Sequence, residues 1–347
     1  MKTTVISTSF SWIVLTMLAF PIVAQAQLLY TTINNTIQIT GYTGGDGGHV
    51  NIPATINGLP VTSIGDSAFR FSNVSVVTIP GSVTSIGIQS FANCASLYVV
   101  RMTNGVISIG DYAFWFCTGL PSITVPASVT SIGFQAFGGC KSLSGLTVDS
   151  LNSYYSVVQG VLFDKSQSTL IQYLGGTSGT NYAIPVGVSS IGKYAFQDAR
   201  LLVTVIVPQS VTSIGGGAFF GAAPNLTSVY CLGNAPGVGL YAFRGLAATA
   251  YYLPGTEGWV TTLGELPTRL WNPQVLTTNA SFGVQDNQFG FTITGTANIP
   301  VVVEACSNLI SPTWISLQRC SVTNGSIYFS DPAWTINPRR FYRIRSP

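Results

Sequence analysis

The fold of this chain is decided by the stretch IPGSVTSIGIQSFANCASL, residues 79–97. Its central element is Ser-Ile-Gly, then two variable residues, then Ala-Phe or Ser-Phe. The Ser-Ile-Gly triplet begins at residues 63, 85, 108, 131, 190 and 213. The phenylalanines recur at Phe69, Phe91, Phe114, Phe137, Phe196, Phe219 and Phe243. A period of about 23 residues predicts a stack of equivalent structural units.

Each unit also contains an extended segment with the pattern apolar-x-x-apolar-x-apolar. Residues 120–125 (LPSITV) and 202–207 (LVTVIV) are examples, and their β-branched residues and alternation indicate one short strand per unit. A single strand cannot bury its inner face, but strands stacked at about 4.8 Å per coil form parallel sheets around a continuous core. The pattern therefore predicts a right-handed parallel solenoid. The glycine after Ser-Ile fits a place where a side chain would clash or where φ must be positive.

The consensus I-P-x-x-V-x-S-I-G-x-x-A-F-x-x-C-x-x-L, seen at residues 79–97 with Ser90 at the alanine position, resembles the BspA-like leucine-rich repeat family. The resemblance covers roughly residues 50–250. It implies a leucine-rich-repeat solenoid on an exported protein. It also implies a family in which some members adhere to host or matrix proteins.

The period is interrupted once and ends in an altered copy. Phe137 and Phe196 lie 59 residues apart, which is 36 more than one period, so an insertion is expected near residues 149–183. Residues 160–173 within it are typical of a strand, a polar turn and a strand. We interpret them as a hairpin excursion, and a degenerate repeat with a longer loop is the equal alternative. The last copy, residues 240–243, lacks Ser-Ile-Gly, as expected of a terminal cap.

The amino-terminal segments are predicted to direct export and to cap the first coil. Lys2, an apolar run and the motif at residues 24–26 (AQA) indicate a signal peptide over residues 1–26, with a retained membrane anchor as the weaker alternative. Residues 27–50 are typical of a β-hairpin cap. A calcium loop in its glycine-rich turn is disfavoured because Asp46 is the only carboxylate there. We therefore expect a secreted or cell-surface protein with no integral membrane segment after cleavage.

The rest of the chain is predicted to divide at Pro273. Residues 51–272 form the solenoid with its insertion and a carboxy-terminal cap. Alternating strands without the period follow, which predicts a small antiparallel β-sandwich over residues 273–347. This part is similar to the short carboxy-terminal β-modules of other secreted bacterial proteins. The arginines of its last nine residues are interpreted either as an anion-docking strip or as a charged edge strand, and they are Arg339, Arg340, Arg343 and Arg345.

Composition argues against several classes of function. Charged residues make up 7% of the chain, the net charge is +3 and the mean hydropathy is +0.42, so a nucleic-acid partner is not expected. The single histidine, His49, disfavours a Ser/His/Asp triad and multi-histidine metal sites. The eleven acidic residues form no pair with glycosidase spacing. We expect no catalytic residue, no metal and no cofactor.

The cysteines are expected to play different roles. Cys94, Cys117 and Cys140 each stand three residues after a repeat phenylalanine. Side chains one coil apart do not readily meet disulfide geometry, so these three are predicted to form a buried ladder of free thiols. Cys306 and Cys320 are the candidates for a disulfide.

Two candidate binding surfaces follow from the register. Outward positions of the predicted strands form a flat, neutral face rich in hydroxyl groups, which suits protein or glycan contact. Its candidate residues are Val99, Arg101, Ser122, Thr124, Thr147, Thr204, Ile206, Ser228 and Tyr230. The second candidate is an aromatic patch of Phe71, Trp115 and Phe220, although packing of Trp115 under a neighbouring loop is slightly favoured.

These expectations favour a secreted or cell-surface protein that binds a protein or polysaccharide through its solenoid strand face, without catalysis. One alternative is a carbohydrate-active accessory module, with Tyr230, Trp115 and Asp149 near a groove. Another is a purely architectural component of an envelope or matrix.

Overall fold

The computed structural model describes residues 28–44, 48–221, 225–337 and 339–345. Regular structure in these residues is β-strand apart from two short 3-10 helices. The predicted fold class is confirmed: coils of about 23 residues stack into a solenoid, and small antiparallel sheets follow it. The predicted signal peptide and Asp46 of the calcium-loop alternative lie outside the described residues.

The strands of the amino-terminal half pair in two ladders. In chain order they are β1 (Leu28–Ile33), β2 (Thr36–Tyr42), β3 (His49–Asn51), β4 (Thr55–Ile56), β5 (Leu59–Ile64), β6 (Val76–Ile79), β7 (Ser85–Ile86), β8 (Val99–Met102), β9 (Ser108–Ile109), β10 (Ser122–Val125), β11 (Ser131–Ile132) and β12 (Gly145–Val148). The Ser-Ile strands β5, β7, β9 and β11 form a parallel ladder that starts on the hairpin β1–β2. The apolar segments β3, β6, β8, β10 and β12 lie side by side, and the outer surface of these strands and of their equivalents in the second half of the solenoid is called the strand face below.

The repeat phenylalanines form a ring stack through the core of this half. The centroid of Phe91 lies 4.8 Å from that of Phe69 and 5.2 Å from that of Phe114, and Phe114 lies 5.8 Å from Phe137. All four rings are buried. Near-parallel rings at these distances combine apolar burial with favourable stacking, so each coil stabilises the next.

The glycine of Ser-Ile-Gly is required by the close approach of neighbouring coils. A Cβ atom on Gly110 would lie 2.7 Å from the carbonyl carbon of Gly87, and one on Gly133 would lie 2.5 Å from that of Gly110. Positive φ occurs instead two residues before the phenylalanine, as at Tyr112 (57°) and Gln135 (50°). Of the two reasons predicted for the glycine, the clash is therefore the one that applies.

Cys94, Cys117 and Cys140 form the predicted ladder of free thiols. Each sulfur donates to the carbonyl of a phenylalanine in the preceding coil. Cys94 bonds Phe69 at 2.9 Å, Cys117 bonds Phe91 at 3.1 Å, and the third thiol bonds the carbonyl of residue 114 at 3.0 Å. Burial raises the pKa of the Cys94 thiol, so this sulfur stays protonated and able to donate.

The second half of the solenoid begins in the insertion. Its strands are β13 (Tyr155–Val158), β14 (Val161–Asp164), β15 (Thr169–Tyr173), β16 (Asn181–Ala183), β17 (Ser190–Ile191), β18 (Thr204–Val207), β19 (Ser213–Ile214), β20 (Ser228–Cys231), β21 (Gly237–Val238), β22 (Thr249–Tyr252), β23 (Thr262–Leu263) and β24 (Leu266–Leu270). β13 and β14 form an antiparallel hairpin, and β15 joins the Ser-Ile ladder with Leu170 opposite Ile191. Tyr173 stacks on Phe196 at 5.5 Å, in the place of a repeat phenylalanine. The insertion is therefore a hairpin followed by a degenerate repeat, so both alternatives describe part of it.

At the end of each half of the solenoid, a carboxylate from a later part of the chain accepts a backbone N–H of the last coil. Asp198 Oδ2 accepts the N–H of Gly139 at 2.7 Å where the two halves meet, and Glu265 Oε2 accepts that of Phe243 at 3.2 Å at the carboxy-terminal end. Asp198 is buried, and this burial raises its pKa. The carboxylates thus replace the carbonyl that the next regular coil would supply.

The carboxy-terminal module consists of two antiparallel sheets. Its strands are β25 (Gln274–Leu276), β26 (Gly283–Gln285), β27 (Gln288–Thr294), β28 (Pro300–Cys306), β29 (Ile315–Ser321), β30 (Ser326–Asp331) and β31 (Phe341–Arg345), with 3-10 helices at Thr323–Gly325 and Trp334–Ile336. One sheet places β27 next to β25, β26 and β30, and the other has the order β29-β28-β31. Phe291 and Phe329 of the first sheet share a core with Val301 and Val303 of the second.

The predicted disulfide between Cys306 and Cys320 is wrong, because the strand register separates the two residues. Cys320 lies opposite Val301, at the start of β28, whereas Cys306 ends the same strand opposite Phe341. Five residue steps along a strand amount to about 17 Å, but a disulfide needs Cα atoms within about 7 Å. Both thiols are free.

Candidate functional site

The first five strands of the strand face are open to solvent. Val76 lies next to Val99 and Thr78 next to Arg101, and the register of β10 with β12 places Thr124 next to Thr147. The candidate residues Arg101, Ser122, Thr124 and Thr147 are exposed and Val99 is half-buried. The hydroxyls of Thr124 and Thr147 share a hydrogen bond of 2.9 Å. This part of the face is flat, neutral and rich in hydroxyl groups, with one cation.

Two of the later candidates on the strand face, Tyr230 and Thr204, are buried, which corrects the expectation that their side chains face solvent. Tyr230 is 3% exposed and Thr204 is 4% exposed, while Ile206 and Ser228 are half-buried. The Tyr230 ring stacks on Tyr251 at 5.0 Å, and both rings belong to the core of the carboxy-terminal module. The module covers this half of the strand face. The repeat pattern does not predict this contact, because the module is not part of the repeats.

A cleft of about 450 Å³ lies at the end of β12, where the insertion begins. Thr147, Asp149, Tyr155 and Lys165 are among its lining residues. Two exposed apolar side chains come from the same segment, Leu151 at 80% and Tyr154 at 52% exposure. The cleft therefore joins the open strand face to protruding apolar groups.

The aromatic candidates fall into two places. Phe71 is 68% exposed, has φ of 59°, and carries the Arg70 guanidinium 4.9 Å from its ring centroid. Trp115 is half-buried and Phe220 is 38% exposed. These two lie in a continuous run of ring contacts, which we call the aromatic belt: Tyr112, Trp115, Phe116, Phe134, Tyr194 and Phe220.

The aromatic belt crosses the boundary between the two halves of the solenoid. Phe134 of the first half lies 5.4 Å from Tyr194 of the second, and Tyr194 lies 6.2 Å from Phe220. The sequence analysis did not single out Tyr112, Phe134 or Tyr194. The sequence signal that could have identified these three residues is an aromatic side chain two or three positions before the repeat phenylalanine.

Three of the four arginines near the carboxy terminus are paired with buried carboxylates, and Arg339 is exposed. Glu304 accepts Arg343 at 2.8 Å and Arg345 at 2.6 Å, and Arg340 pairs with Asp331 at 3.1 Å. Burial acts to raise the pKa of Glu304, but the bonds from the two arginines outweigh it and lower that pKa. β31 is an edge strand, so these contacts favour the charged-edge interpretation over the anion-docking strip.

The residues of the carbohydrate-active alternative do not converge. Tyr230 lies beneath the carboxy-terminal module, Trp115 lies in the aromatic belt, and Asp149 lines the cleft at the end of β12. Across residues 28–44, 48–221, 225–337 and 339–345, no three His, Cys, Asp or Glu side chains are grouped as for a metal ion. None of these segments forms a helix long and apolar enough to cross a membrane.

Comparison with known families identifies a leucine-rich repeat profile. The profile described as "BspA type Leucine rich repeat region" matches residues 62–173 and 171–252 in six copies. These ranges span residues 62–252, which is 191 of the 347 residues and more than half of the chain. No curated protein matches the chain.

Solved bacterial structures are similar to this chain, and one of them shares its fold at a TM-score above 0.5. A leucine-rich repeat protein from Eubacterium ventriosum is 22% identical, with a TM-score of 0.51 over 65% of this chain and 69% of that one. The pneumococcal vaccine antigen PcpA is 22% identical with a TM-score of 0.47, and the match covers 57% of this chain and 55% of PcpA. The leucine rich repeat protein of T. pallidum is 26% identical with a TM-score of 0.39, over 63% of this chain and 86% of that one.

Proposed function

Because the chain belongs to the BspA type leucine-rich repeat family, we propose that it is a non-catalytic binding protein, secreted or displayed on the cell surface, that holds a partner protein on the open half of its strand face. The observation that carries this proposal is the division of that face. The carboxy-terminal module packs on Tyr230 and Tyr251, and the five strands from β3 to β12 remain uncovered.

The chemistry of the open face suits a protein surface. Most of its exposed side chains are hydroxyls, next to half-buried valines, and the face also presents His49, Asn51 and, as the one arginine or lysine of the rows described above, Arg101. Neutral, flat surfaces of this kind carry few groups that would have to lose a tight water shell on contact. Arg101 supplies one directed, charged donor.

The open face is too small to be the whole interface. Strands of four residues are about 13 Å long, and five strands at about 4.8 Å spacing span about 24 Å. The resulting area of about 300 Å² is below the roughly 800 Å² per partner of a standard interface. The partner therefore has to extend onto Leu151 and Tyr154 beside the cleft, whose exposed apolar side chains act as anchors.

The test is a binding screen of the purified chain against immobilised extracellular matrix and cell-surface proteins, followed by variants. Arg101→Glu and Tyr154→Ala should each weaken binding of the partner at least about tenfold, which corresponds to about 1.4 kcal/mol. Arg319→Glu and Tyr241→Ala are matched controls, because both residues are exposed and lie outside this surface. Equal losses in test and control variants, or no loss in either test variant, would overturn the proposal.

A further inference from the structure

The amino-terminal end of the solenoid presents an unpaired strand edge. β1 (LLYTTI) is the outermost strand of its sheet, and one of its edges pairs with β2. Among the described residues, nothing pairs with the other edge, and five of the six residues of β1 are exposed. The N–H and C=O groups of such an edge can pair with a further strand.

β1 lacks the features that keep strand edges apart. It contains no charged residue and no proline. The irregularity of the β1–β2 hairpin is an extra residue on β2, Thr40, so β1 itself is regular. By contrast, the edge strand β31 of the carboxy-terminal module carries Arg343 and Arg345. Native proteins protect exposed edges with charges, proline or bulges, so the contrast indicates that the β1 edge is used for pairing.

The side chains of β1 are apolar on the face that points away from the core. Cross-strand partners share a face of the sheet. Tyr30 and Thr32 pair with the buried isoleucines of β2, so Leu29, Thr31 and Ile33 lie on the opposite face. Leu29 is 47% exposed and Ile33 is 45% exposed. Covering these two side chains with a further strand would remove apolar surface from water.

The hairpin geometry fixes which backbone groups of β1 point outward. The loop has two residues, 34–35, and Ile33 pairs with the next residue across it. Residues that flank a two-residue loop bond each other through their N–H and C=O groups, and the direction of bonding alternates along a strand. Ile33 and Thr31 therefore bond toward β2, and the N–H and C=O groups of Tyr30 and Thr32 point to the open edge.

We propose that the chain forms a dimer in which β1 pairs antiparallel with β1 of a second copy, about a two-fold axis through Thr31. In this register Leu29 lies opposite Ile33 of the second copy, Tyr30 lies opposite Thr32, and the symmetry repeats both pairs. The outer face gains apolar cross-strand pairs. The outward groups of Tyr30 and Thr32 form about four hydrogen bonds.

Other registers and other partners fit this edge less well. Cross-strand partners must lie on the same face, so the axis passes through a residue and not between two residues. An axis at Tyr30 places Leu29 opposite Thr31, and an axis at Thr32 places Ile33 opposite Thr31. A strand of a different protein would find the same open backbone groups. The neutral, self-matching order of apolar and hydroxyl residues in β1 favours a second copy.

Solenoids joined in this way point away from each other. β3 starts the strand face and belongs to the same coil as β2, so β1 extends one strand beyond it. A two-fold axis perpendicular to the sheet at Thr31 brings the amino-terminal ends together and turns the two stacks of coils in opposite directions. The described coils of one copy therefore do not block those of the other.

The small size of the edge predicts a weak dimer. Six strand residues span about 20 Å. Such an edge covers well below the roughly 800 Å² per partner of a standard interface. We therefore expect a dissociation constant between about 10 and 300 μM.

The test measures association by analytical ultracentrifugation from about 5 to 500 μM, with chain produced by export so that any signal peptide has been removed. Thr31→Lys places like charges opposite each other at the two-fold axis, and Thr31→Glu does the same with the opposite sign. Either variant alone should associate at least about tenfold more weakly than the wild type. An equimolar mixture of the two should associate at least as tightly as the wild type. Thr180→Lys, at an exposed threonine in the second half of the solenoid, is the matched control.

We expect the wild type and Thr180→Lys to dimerise equally. A chain that stays monomeric up to about 500 μM would overturn the proposal and assign the edge to a strand of a different protein. Association that Thr31→Lys does not weaken, or that the mixture does not recover, would also overturn it, because residue 31 would not face itself. Thermal unfolding of Thr31→Lys near the wild-type temperature would show that its loss is not a folding defect. Arg101→Glu on the strand face should leave dimerisation unchanged, so this test is independent of the proposed function.

Discussion

Replacing Phe114 by alanine removes the ring at the centre of the amino-terminal stack. Phe114 is fully buried and lies between Phe91 at 5.2 Å and Phe137 at 5.8 Å. Truncation of a buried phenylalanine costs about 3–5 kcal/mol. Two stacked neighbours place this site at the upper end of that range, because each ring pair adds about 0.5–1.5 kcal/mol beyond burial. We expect Phe114→Ala to lower the free energy of unfolding by about 5 kcal/mol.

The last ring of the second stack provides an internal comparison. Phe243 is also fully buried but contacts one ring of the stack, Phe219 at 5.0 Å. Phe243→Ala should therefore cost about 1 kcal/mol less than Phe114→Ala. Phe71→Ala is the exposed control and should cost less than about 1 kcal/mol, since its ring is 68% exposed.

Urea unfolding followed by tryptophan fluorescence measures the free energy of unfolding of each variant. Trp115, next to Phe114 in the chain, is a local reporter. The dependence of the unfolding free energy on urea should stay unchanged if only native stability is altered. A loss below about 2 kcal/mol for Phe114→Ala, or one equal to that of Phe71→Ala, would refute the idea that the ring stack holds the coils together.

Three further predictions concern the close contacts between coils, the buried carboxylate and the thiols. Gly133→Ala should destabilise by about 1–3 kcal/mol because the added Cβ meets backbone at 2.5 Å, whereas Gly237→Ala, with its nearest contact at 3.7 Å, should be nearly neutral in the same urea assay. Burial raises the pKa of Asp198, so its proton is held more tightly in the folded state and wild-type stability should fall as pH rises above about 4. Asp198→Asn removes this dependence on pH. Urea unfolding between pH 4 and 7 should therefore show the free energy of unfolding of the variant increasing relative to that of the wild type as pH rises. A difference in unfolding free energy that stays constant with pH would contradict this prediction. Thiol titration of the unfolded, unreduced chain should count all the cysteines, and a count lower by two would mean that a disulfide forms.

The solenoid could be predicted from the sequence because its determinants are local and repeated. Each coil needs a phenylalanine for the ring stack, a glycine where backbones approach, and a small side chain at the thiol position. The ring and glycine contacts join a residue to its equivalent one coil away, as between Phe91 and Phe114 or between Gly110 and Gly133. Each thiol of the ladder bonds a phenylalanine carbonyl of the preceding coil. A periodic pattern therefore predicts both the structure of each coil and its contacts with the neighbouring coil.

The candidate sites could be predicted only in part, because their decisive contacts are not periodic. Arg101 and Thr124 are exposed, as the register indicated, but Tyr230 has the same register and is buried. The difference arises because a non-repeating module packs back on one half of the face. The disulfide prediction failed for a similar reason, since spacing along the chain does not reveal how β28 and β29 pair.

The sequence by itself determined the coil, its core and the place where the repeats are interrupted, because contacts between identical neighbours are encoded once per period. Only the tertiary structure decided what the interruption creates. The insertion joins the two halves so that the Phe134 ring meets the Tyr194 ring and the Gln135 side chain donates a hydrogen bond to the carbonyl oxygen of Tyr194. Residues so far apart along the chain have no periodic relation, and their proximity depends on how the intervening hairpin packs between the two halves.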